Sequence, residues 1–214
     1  MVTHYIHRGL AKKHFKENTL SAFRYSFRKK YGIETDLQVT KDNQLICFHD
    51  FNLRRKFNLN KNVKDINYFH LKKISSKRKA TVPLLKDLLK ISRNKYPLLL
   101  EIKPLLIMKN LLSLIKLIKK KKKYGIISFK EKNLINLYNL KKKLPLGMLF
   151  SSKASTRNIK SKSKKRYVKF LVLEKNFLNS KFDPIKKPIY YYTIRNKKLF
   201  NRYKHSKNLI FENL

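Results

Sequence analysis

Short apolar runs alternate along the chain with longer segments whose apolar residues recur every three to four positions. The short runs have the length and the β-branched and aromatic content of buried strands. Eight such runs are present: 5–6, 33–39, 98–102, 125–129, 146–150, 170–173, 189–194 and 209–211. Helical spacing is clear at Leu20/Phe23/Phe27, Leu85/Leu88/Leu89, Leu111/Leu112/Ile115/Ile118 and Leu134/Leu137/Leu140. Alternating strands and helices predict a parallel α/β sheet, and eight strands are the number that closes a (β/α)8 TIM barrel.

The length of the chain limits the helices of such a barrel. Its 214 residues fall short of the roughly 250 that are typical of the fold, so some connecting helices must be trimmed. Residues 151–166 are polar and show no apolar periodicity, and we expect the trimming there. Since no internal repeat and no linker divides the sequence, we predict a compact single domain over residues 1–214.

The chain is strongly basic, with 54 Lys and Arg against 12 Asp and Glu and a formal net charge of +42. A basic surface attracts phosphate groups, whether in nucleic acid, in anionic lipid or in a small substrate. The alternative interpretation is coding bias, because the residue types that an AT-rich genome favours are all abundant. The lysines are scattered over most of the chain, which favours coding bias. We therefore expect no specific nucleic-acid partner and at most weak contact with an anionic membrane surface.

Composition and motifs also exclude several classes of protein. The four glycines form neither a GxGxxG fingerprint nor a P-loop, which argues against dinucleotide and Walker-type nucleotide binding. Cys47 is the single cysteine, which leaves no internal disulfide or CxxC metal site and fits a reducing compartment. The N-terminus lacks a signal pattern, and Lys109 and Lys116 interrupt the most apolar stretch, 104–118. A soluble, cytoplasmic protein is the expectation.

Residues with chemical potential cluster where the predicted strands end. His7-Arg8-Gly9 closes the first strand, Glu34 and Asp36 lie on the second, and Glu101 and Lys103 close a later one. The carboxyl ends of barrel strands build one shared face, so these side chains should converge. Glu34 and Asp36 are two positions apart and therefore point to the same side of their strand. Because adjacent carboxylates repel, a hard divalent cation is the natural occupant, with Glu101 as a third ligand.

The segment that follows Asp36 predicts a hairpin. Thr40-Lys41-Asp42-Asn43 has turn chemistry, and 33–39 and 44–49 could fold back on each other. A turn centred near Asp42 would place Asp36 roughly opposite His49. The imidazole would then lie beside the carboxylate pair, and we expect Asp50 to support it.

Taken together, these motifs closely resemble the glycerophosphodiester phosphodiesterase family. The resemblance is carried by HRG at 7–9, ENT at 17–19, GIETD at 32–36, TKD at 40–42, HD at 49–50, VPLLKDLL at 82–89 and LEIK at 100–103. It continues more weakly through Ser128-Phe129, 145–147 with Leu149, and 192–194. The chain departs from the family at two positions. It has Tyr192-Thr193 where the family usually has a Trp-Thr pair, and Phe211-Glu212 where the last strand commonly ends in Thr-Asp.

The resemblance implies a TIM-barrel phosphoric diester hydrolase that converts glycerophosphodiesters to glycerol 3-phosphate and an alcohol with Mg²⁺ or Ca²⁺. His7 and His49 match the family's catalytic pair, without an indication of which is the acid and which the base. The metal ligands match Glu34, Asp36 and Glu101. Arg8 matches a phosphate-side arginine, Lys103 a basic residue near the substrate, and Tyr192 is expected either to line the substrate cleft or to fill the barrel. We expect Glu17-Asn18-Thr19 to orient Arg8 and to cap the following helix.

Three alternatives to this function remain at the level of the sequence. The same machinery could cleave membrane-derived lipids as a lysophospholipase D, helped by the basic surface. The charge could instead serve a nucleic-acid-binding protein, although no RRM, KH or zinc pattern is present. A barrel without activity is the third, and the complete set of two histidines and three carboxylates argues against it. The sequence indicates no oligomeric state.

Overall fold

Residues 2–182 and 185–214 are described by a computed structural model of the protein, and this part of the chain contains nine strands and eight helices. The strands are β1 Tyr5–His7, β2 Gly32–Val39, β3 Leu45–Cys47, β4 Leu98–Ile102, β5 Tyr124–Ser128, β6 Leu146–Phe150, β7 Phe170–Glu174, β8 Ile189–Ile194 and β9 Asn208–Phe211. The helices are α1 Leu20–Arg28, α2 Arg54–Phe57, α3 Tyr68–Lys77, α4 Leu85–Ser92, α5 Met108–Ile118, α6 Glu131–Leu140, α7 Thr156–Ser163 and α8 Lys197–Tyr203.

Eight of the strands close into a parallel barrel. Going round it, the order is β1, β2, β4, β5, β6, β7, β8 and β9, and β9 pairs again with β1. Closure is visible at Ile6, which lies opposite Ile33 on one side and Phe211 on the other. The ninth strand, β3, lies outside this ring and pairs antiparallel with β2. The predicted (β/α)8 barrel and its eight strands are therefore confirmed, and so is the hairpin.

The strand residues divide into two apolar layers because successive side chains point to opposite faces. The outward layer packs against the helices and forms the main core, which includes Ile33, Leu98, Leu100 and Ile126. The inward layer fills the interior of the barrel with Tyr5, Leu99, Ile127, Leu149, Phe170, Val172 and Ile210. The lower part of the interior is therefore a packed core rather than a pore. Only the carboxyl ends of the strands are free to carry polar groups inward.

We expected a trimmed helix at residues 151–166, but a helix of eight residues forms there. Helix α7 lies there, with Ser155 as its N-cap, whose hydroxyl accepts a hydrogen bond from Asn158 N–H. Ile159 and Ser163, four positions apart, face the barrel and are buried. Two buried positions and one cap are enough to fix a short helix against a sheet, although they give no visible apolar period. The shortening falls between β7 and β8 instead, where the described residues form only a 3₁₀ turn, Lys175–Phe177.

An excursion between β3 and α4 covers part of the carboxyl-end face. It contains α2, a 3₁₀ turn at Val63–Asp65 and α3, and it has an apolar cluster of its own that includes Phe48, Leu53, Phe57 and Leu71. This cluster fixes the chain that leaves β3, and with it the position of His49. Among the described helices none combines the length and the apolarity needed to cross a bilayer, and the longest, α5, has 11 residues.

Gly147 lies in the barrel interior at a position where any larger side chain should lower the stability of the protein. A Cβ added to Gly147 would overlap the ring of Phe170, which is held edge-on by Tyr190 at 5.5 Å between ring centroids. We expect Gly147→Ala to lower the free energy of unfolding by about 1–3 kcal/mol, because an overfilled interior forces side chains off their preferred rotamers. Denaturant unfolding would measure this. In a Phe170→Leu background the same substitution should cost clearly less, and an equal cost in both backgrounds would contradict the packing explanation.

Candidate active site

The inward side chains change from apolar to polar at the carboxyl end of the barrel. On β1, Tyr5 in the packed interior is followed two positions later by His7, and on β4 Leu99 is followed by Glu101. The same alternation places Glu34 and Asp36 on one face of β2, as the spacing predicts. The predicted convergence of the strand-end residues is therefore found. His7, Glu34 and Glu101 line a cavity of about 150 Å³ at the mouth of the barrel, and Asp36 lies next to the two glutamates.

Three carboxylates form the centre of this site. One oxygen each from Glu34, Asp36 and Glu101 lies within 4.8 Å of the other two, and the residues are 3%, 1% and 8% exposed. Glu34 Oε2 and Asp36 Oδ1 are buried without a hydrogen-bond partner among the described residues. Buried acceptors that lack donors are costly, and an all-oxygen set of this spacing suits a hard divalent cation. The donor set therefore fits the metal that the sequence predicts.

The ionisation of the three carboxylates is strongly interdependent. Burial, together with the charges of Asp36 and Glu101, raises the pKa of Glu34 well above its usual range. Burial and Asp36 raise the pKa of Glu101 to about 7. Burial also acts against ionisation of Asp36, but Arg8, His49 and Lys103 outweigh it and hold the pKa of Asp36 below its usual range. Asp36 is thus the fixed negative charge of the cluster, and the two glutamates share what remains.

Two cations compensate this cluster. Lys103 Nζ lies 2.8 Å from Glu101 Oε1 and 3.6 Å from Asp36 Oδ1. Although burial opposes it, the attraction of Glu101 and Asp36 raises the pKa of Lys103, so the side chain stays charged. Arg8 Nε lies 3.1 Å from Asp36 Oδ2, an ion pair without hydrogen-bond alignment, since Nε has no hydrogen-bond partner among the described residues. Arg8 and Lys103, the two basic residues that the resemblance places near the substrate, therefore both form ion pairs with the carboxylate cluster.

The backbone at Arg8-Gly9 is shaped to aim the arginine. Arg8 has φ +51° and Gly9 φ +72°, in the left-handed region that favours glycine. A Cβ on Gly9 would also overlap Phe23 and Ala22 of α1. The Arg8 N–H donates to Glu34 O at 2.8 Å, which ties the turn to β2. Glycine is required at position 9 because α1 packs directly on this turn.

The segment Glu17-Asn18-Thr19 takes the structural positions that the sequence predicts. Glu17 Oε2 accepts from Arg8 Nη1 at 3.0 Å, and the Thr19 hydroxyl caps α1 by accepting from Ala22 N–H. Asn18 contributes more than expected. Its amide donates to Asp36 Oδ2 at 3.0 Å and accepts from the hydroxyl of Thr35 at 2.8 Å. The three residues therefore orient both Arg8 and Asp36.

His49 reaches the site from the end of the hairpin. The register places Phe48 opposite Asp36, with Phe48 N–H donating to Asp36 O at 2.9 Å, so His49 lies within one residue of the position that the sequence predicts. The turn closes by a Gln44 N–H bond to the Thr40 hydroxyl, which fixes that register. His49 still lines the cavity. Its Nδ1 lies 2.7 Å from Asp50 Oδ1, the supporting contact that the sequence predicts.

The environment of His49 favours the neutral imidazole. Burial lowers its pKa, and although Asp36 acts in the opposite direction, Arg8 lowers it further. Asp50 is itself held by Arg55, which donates from Nε to Asp50 Oδ2 at 2.6 Å and also pairs with Glu17. A chain of ion pairs therefore links the excursion that carries His49 to the turn that carries Arg8.

His7 has a carboxylate partner that the sequence analysis missed. Its Nδ1 lies 2.5 Å from Glu212 Oε2, while its Nε2 is directed into the site, 3.8 Å from Glu34 Oε2. The other oxygen of Glu212 accepts from Arg195 Nε. Burial opposes its ionisation, but these two partners lower the pKa of Glu212 to about 2. The available signal was its position, because Glu212 directly follows β9, at the end of the barrel where the other site residues lie in or just after their strands.

Tyr192 lies on the wall of the cavity, opposite the carboxylates. Its hydroxyl donates to Phe150 O at 3.1 Å, and its ring meets Phe129 edge-on at 6.4 Å. Burial and the charges of Glu174, Glu101 and Glu34 raise its pKa, so the phenol stays neutral. The larger groove of about 660 Å³ between α1 and α4 has none of the site residues in its lining. The smaller cavity, which holds the titratable groups, is the candidate active site.

Comparison with known proteins matches this arrangement to one family. The model of the glycerophosphoryl diester phosphodiesterase family matches residues 7–188. A glycerophosphodiester phosphodiesterase of Bacillus altitudinis is 34% identical over 109 residues, which are 46% of this chain and 44% of that protein. Human Lysophospholipase D GDPD1 is 39% identical over 71 residues, 32% of this chain and 22% of that protein. The aligned regions thus span less than half the length of these relatives.

Solved structures share the whole fold at lower identity. A glycerophosphodiester phosphodiesterase from Thermotoga maritima superimposes with a TM-score of 0.82 at 20% identity, over 100% of this chain and 95% of that one. A phosphodiesterase from Oleispira antarctica, in complex with the product sn-glycerol-3-phosphate, gives 0.82 at 18% identity over 99% and 92%. The family model covers most of the chain, including the strand ends that carry His7, Glu34, Asp36, His49 and Glu101. The chain therefore belongs to the glycerophosphoryl diester phosphodiesterase family, a family of phosphoric diester hydrolases.

Proposed function

We propose that the protein hydrolyses glycerophosphodiesters to glycerol 3-phosphate and an alcohol, with a divalent metal and two histidines. The observation that carries the proposal is the convergence of three buried carboxylates, two cations and two carboxylate-backed histidines in one cavity. The product bound to the Oleispira antarctica phosphodiesterase supports the same substrate class. Release of glycerol 3-phosphate from several diesters, with and without EDTA, tests the proposal.

Glu34, Asp36 and Glu101 would hold the metal, Mg²⁺ or Ca²⁺. When bound, the ion supplies positive charge at the phosphoryl oxygens and lowers the pKa of a water or hydroxyl group next to it. It would also offset the burial and the carboxylate repulsion that raise the pKa of Glu34 and of Glu101. Lys103 and Arg8 remain charged beside the cluster, and the anionic diester would lie against them.

The two histidines would move the protons of the reaction. In each, the carboxylate on Nδ1 fixes the ring, so that Nε2 is the atom available to the substrate; these carboxylates are Glu212 for His7 and Asp50 for His49. One histidine accepts a proton from the attacking water or the glycerol 2-hydroxyl, and the other donates one to the leaving alkoxide. Tyr192 and Phe129 would form the apolar wall against the organic groups of the diester.

A second candidate substrate is a lysophospholipid, cleaved between phosphate and head-group alcohol. Human Lysophospholipase D GDPD1 is among the relatives, and exposed apolar residues such as Phe129 border the cavity. The two candidates differ only in an acyl chain. A comparison of kcat/KM for glycerophosphocholine and lysophosphatidylcholine separates them. An enzyme specific for water-soluble diesters should show no higher kcat/KM for the substrate that carries the acyl chain.

Metal binding should depend on pH in a defined direction. Protons and metal compete for the carboxylates, and Glu101 has a pKa of about 7 in the metal-free protein. We expect affinity for Mg²⁺ or Ca²⁺ to rise from about pH 6 to about pH 8, with release of protons on binding. Calorimetry in buffers of different ionisation enthalpy measures both quantities.

Variants of the cluster make that measurement specific. Glu34→Gln, Asp36→Asn and Glu101→Gln should each weaken binding by more than the roughly 10- to 100-fold that loss of an outer partner costs. Asp65→Asn, a change of an exposed carboxylate outside the cluster, is the matched control and should bind as the unmodified protein does. Equal affinity in all four variants would exclude the cluster as the metal site, and full activity in EDTA would exclude a metal-dependent reaction.

Leaving-group dependence should distinguish the two histidines. We expect a bell-shaped pH profile whose limbs belong to the coupled pair. Replacing the acid should cost less on a nitrophenyl diester, whose alcohol leaves without protonation, than on an unactivated diester. Replacing the base should cost the same on both. His7→Ala and His49→Ala, assayed on both substrates, therefore assign the roles, and near-normal rates of both variants on the unactivated diester would rule out the two-histidine mechanism.

Glu212 should act as a positioning residue through His7. We expect Glu212→Gln to lower kcat by about 10- to 100-fold with little change in KM. The His7 ring would lose the negative charge of its partner but keep its position in the site. Glu212→Asp should restore less than full activity, since the shorter side chain cannot reach both His7 and Arg195. The readout specific to this role is a shift of one limb of the pH profile. A loss in Glu212→Gln without such a shift would indicate a purely structural residue.

A further inference from the structure

Large apolar side chains are exposed around the mouth of the barrel. Eleven are exposed in the described part of the chain, and five of these lie on the loops that follow the carboxyl ends of the strands or directly at their edge. They are Phe51 at 53%, Leu105 at 49%, Ile107 at 60%, Met108 at 54% and Phe129 at 43% exposure. We call these five residues the mouth patch. A cluster of exposed apolar residues beside an active site is typical of an interaction surface.

The mouth patch borders a groove that adjoins the active-site cavity. The groove has a volume of about 470 Å³, and Phe51, Leu105 and Ile107 are in its lining. It meets the cavity where Lys103 is followed by Pro104 and Phe129 by Lys130. Asn110 Oδ1, in the groove lining, is buried and has no hydrogen-bond partner among the described residues. An occupant of this groove would therefore combine apolar groups with a hydrogen-bond donor.

The charges around the mouth patch have one sign. Lys41, Lys64 and Lys130 line the groove and are exposed, and Lys130 Nζ lies 5.6 Å from the ring centroid of Phe51. No acidic residue occurs between positions 102 and 130 or between 51 and 64. The acids that flank these ranges each have a partner: Arg55 for Asp50, Asn62 for Asp65, Lys103 for Glu101 and Lys162 for Glu131. Asp42, beside Lys41, is held by Thr40 and Tyr68 N–H. The patch is thus apolar in its middle and cationic at its rim.

We propose that the mouth patch docks the barrel on an anionic phospholipid bilayer, so that the active-site cavity opens onto the membrane surface. Aliphatic and aromatic side chains enter the boundary between head groups and acyl chains, while lysines beside them pair with lipid phosphates. Nucleic acid would use the lysines but leave the exposed aliphatic side chains unexplained. The general charge of +42 alone predicts attraction to any anionic surface with no preferred face. The proposal specifies the face, and it stands independently of which diester is cleaved.

Insertion of the mouth patch can be measured by fluorescence, because the chain contains no tryptophan. Ile107→Trp places a single indole in the patch, and Leu140→Trp places one at the opposite end of the barrel, at a position that is 38% exposed. With vesicles of phosphatidylcholine and phosphatidylglycerol, the emission of Ile107→Trp should shift to the blue and be quenched by brominated acyl chains. Leu140→Trp should show neither change. Equal responses of the two variants, or no response of either, would overturn the proposal.

Charge reversal provides the second arm of the experiment. Each lysine at an anionic surface contributes roughly fivefold in affinity, so Lys41→Glu/Lys64→Glu/Lys130→Glu should weaken vesicle binding by at least tenfold. Lys141→Glu/Lys142→Glu/Lys143→Glu makes the same change in net charge on exposed lysines at the opposite end and should have a clearly smaller effect. Cosedimentation measures both, with melting curves to verify folding. Equal weakening by the two sets would show attraction without a docking face.

The outcome does not depend on catalysis. Both arms measure binding to vesicles that contain no substrate of the proposed reaction, and the substituted residues lie outside the metal and histidine site. A protein that docks but releases no glycerol 3-phosphate would remove the proposed function and leave this inference intact. A protein that is active but binds neutral and anionic vesicles equally would remove this inference and leave the proposed function intact.

Discussion

The burial of three carboxylates within 4.8 Å of one another is the constraint on which the rest of the site depends. Carboxylates this close cannot all be ionised in a low-dielectric interior unless positive charge lies between or beside them. Lys103 and Arg8 supply that positive charge, while Glu34 Oε2 and Asp36 Oδ1 have no hydrogen-bond partner among the described residues. The pKa of Asp36 is held below its usual range and those of Glu34 and Glu101 are raised, so a cation bound here would compete with protons for the two glutamates.

The surrounding structure serves to hold those charges in place. The left-handed turn at Arg8-Gly9 is possible because Gly9 has no side chain to collide with α1, and it is tied to β2 by the Arg8 N–H bond. Glu17 pairs with Arg8 and also with Arg55, which holds Asp50. The excursion after β3 and the first turn of the barrel are therefore parts of one ionic network. Each histidine is fixed by its own carboxylate at the edge of that network.

The distribution of acids gives the high net charge a second meaning. Six of the twelve acidic residues belong to this one site: Glu17, Glu34, Asp36, Asp50, Glu101 and Glu212. With half of its negative charge collected at the carboxyl end of the barrel and neutralised there, the remaining surface is almost entirely cationic. Coding bias can explain the number of lysines. It does not explain why exposed apolar side chains and acid-free loops lie together beside the cavity.

Apolar patterning and position at strand ends were enough to predict the barrel and the polar groups at its mouth. Short apolar runs predicted the eight strands, the alternation of side chains along a strand predicted the shared face of Glu34 and Asp36, and the family motifs identified His7, Arg8, His49, Glu101 and Lys103. Tertiary structure alone decided the rest. Helix α7 is held by a cap and two buried positions, too few to leave an apolar period. The hairpin register, within one residue of the predicted one, is set by the hydrogen bonds of its turn. Glu212 reaches His7 across 205 positions of sequence only because the barrel closes β9 onto β1. Closure pairs β1 with β9, and local sequence patterns do not indicate which distant side chains this pairing brings into contact.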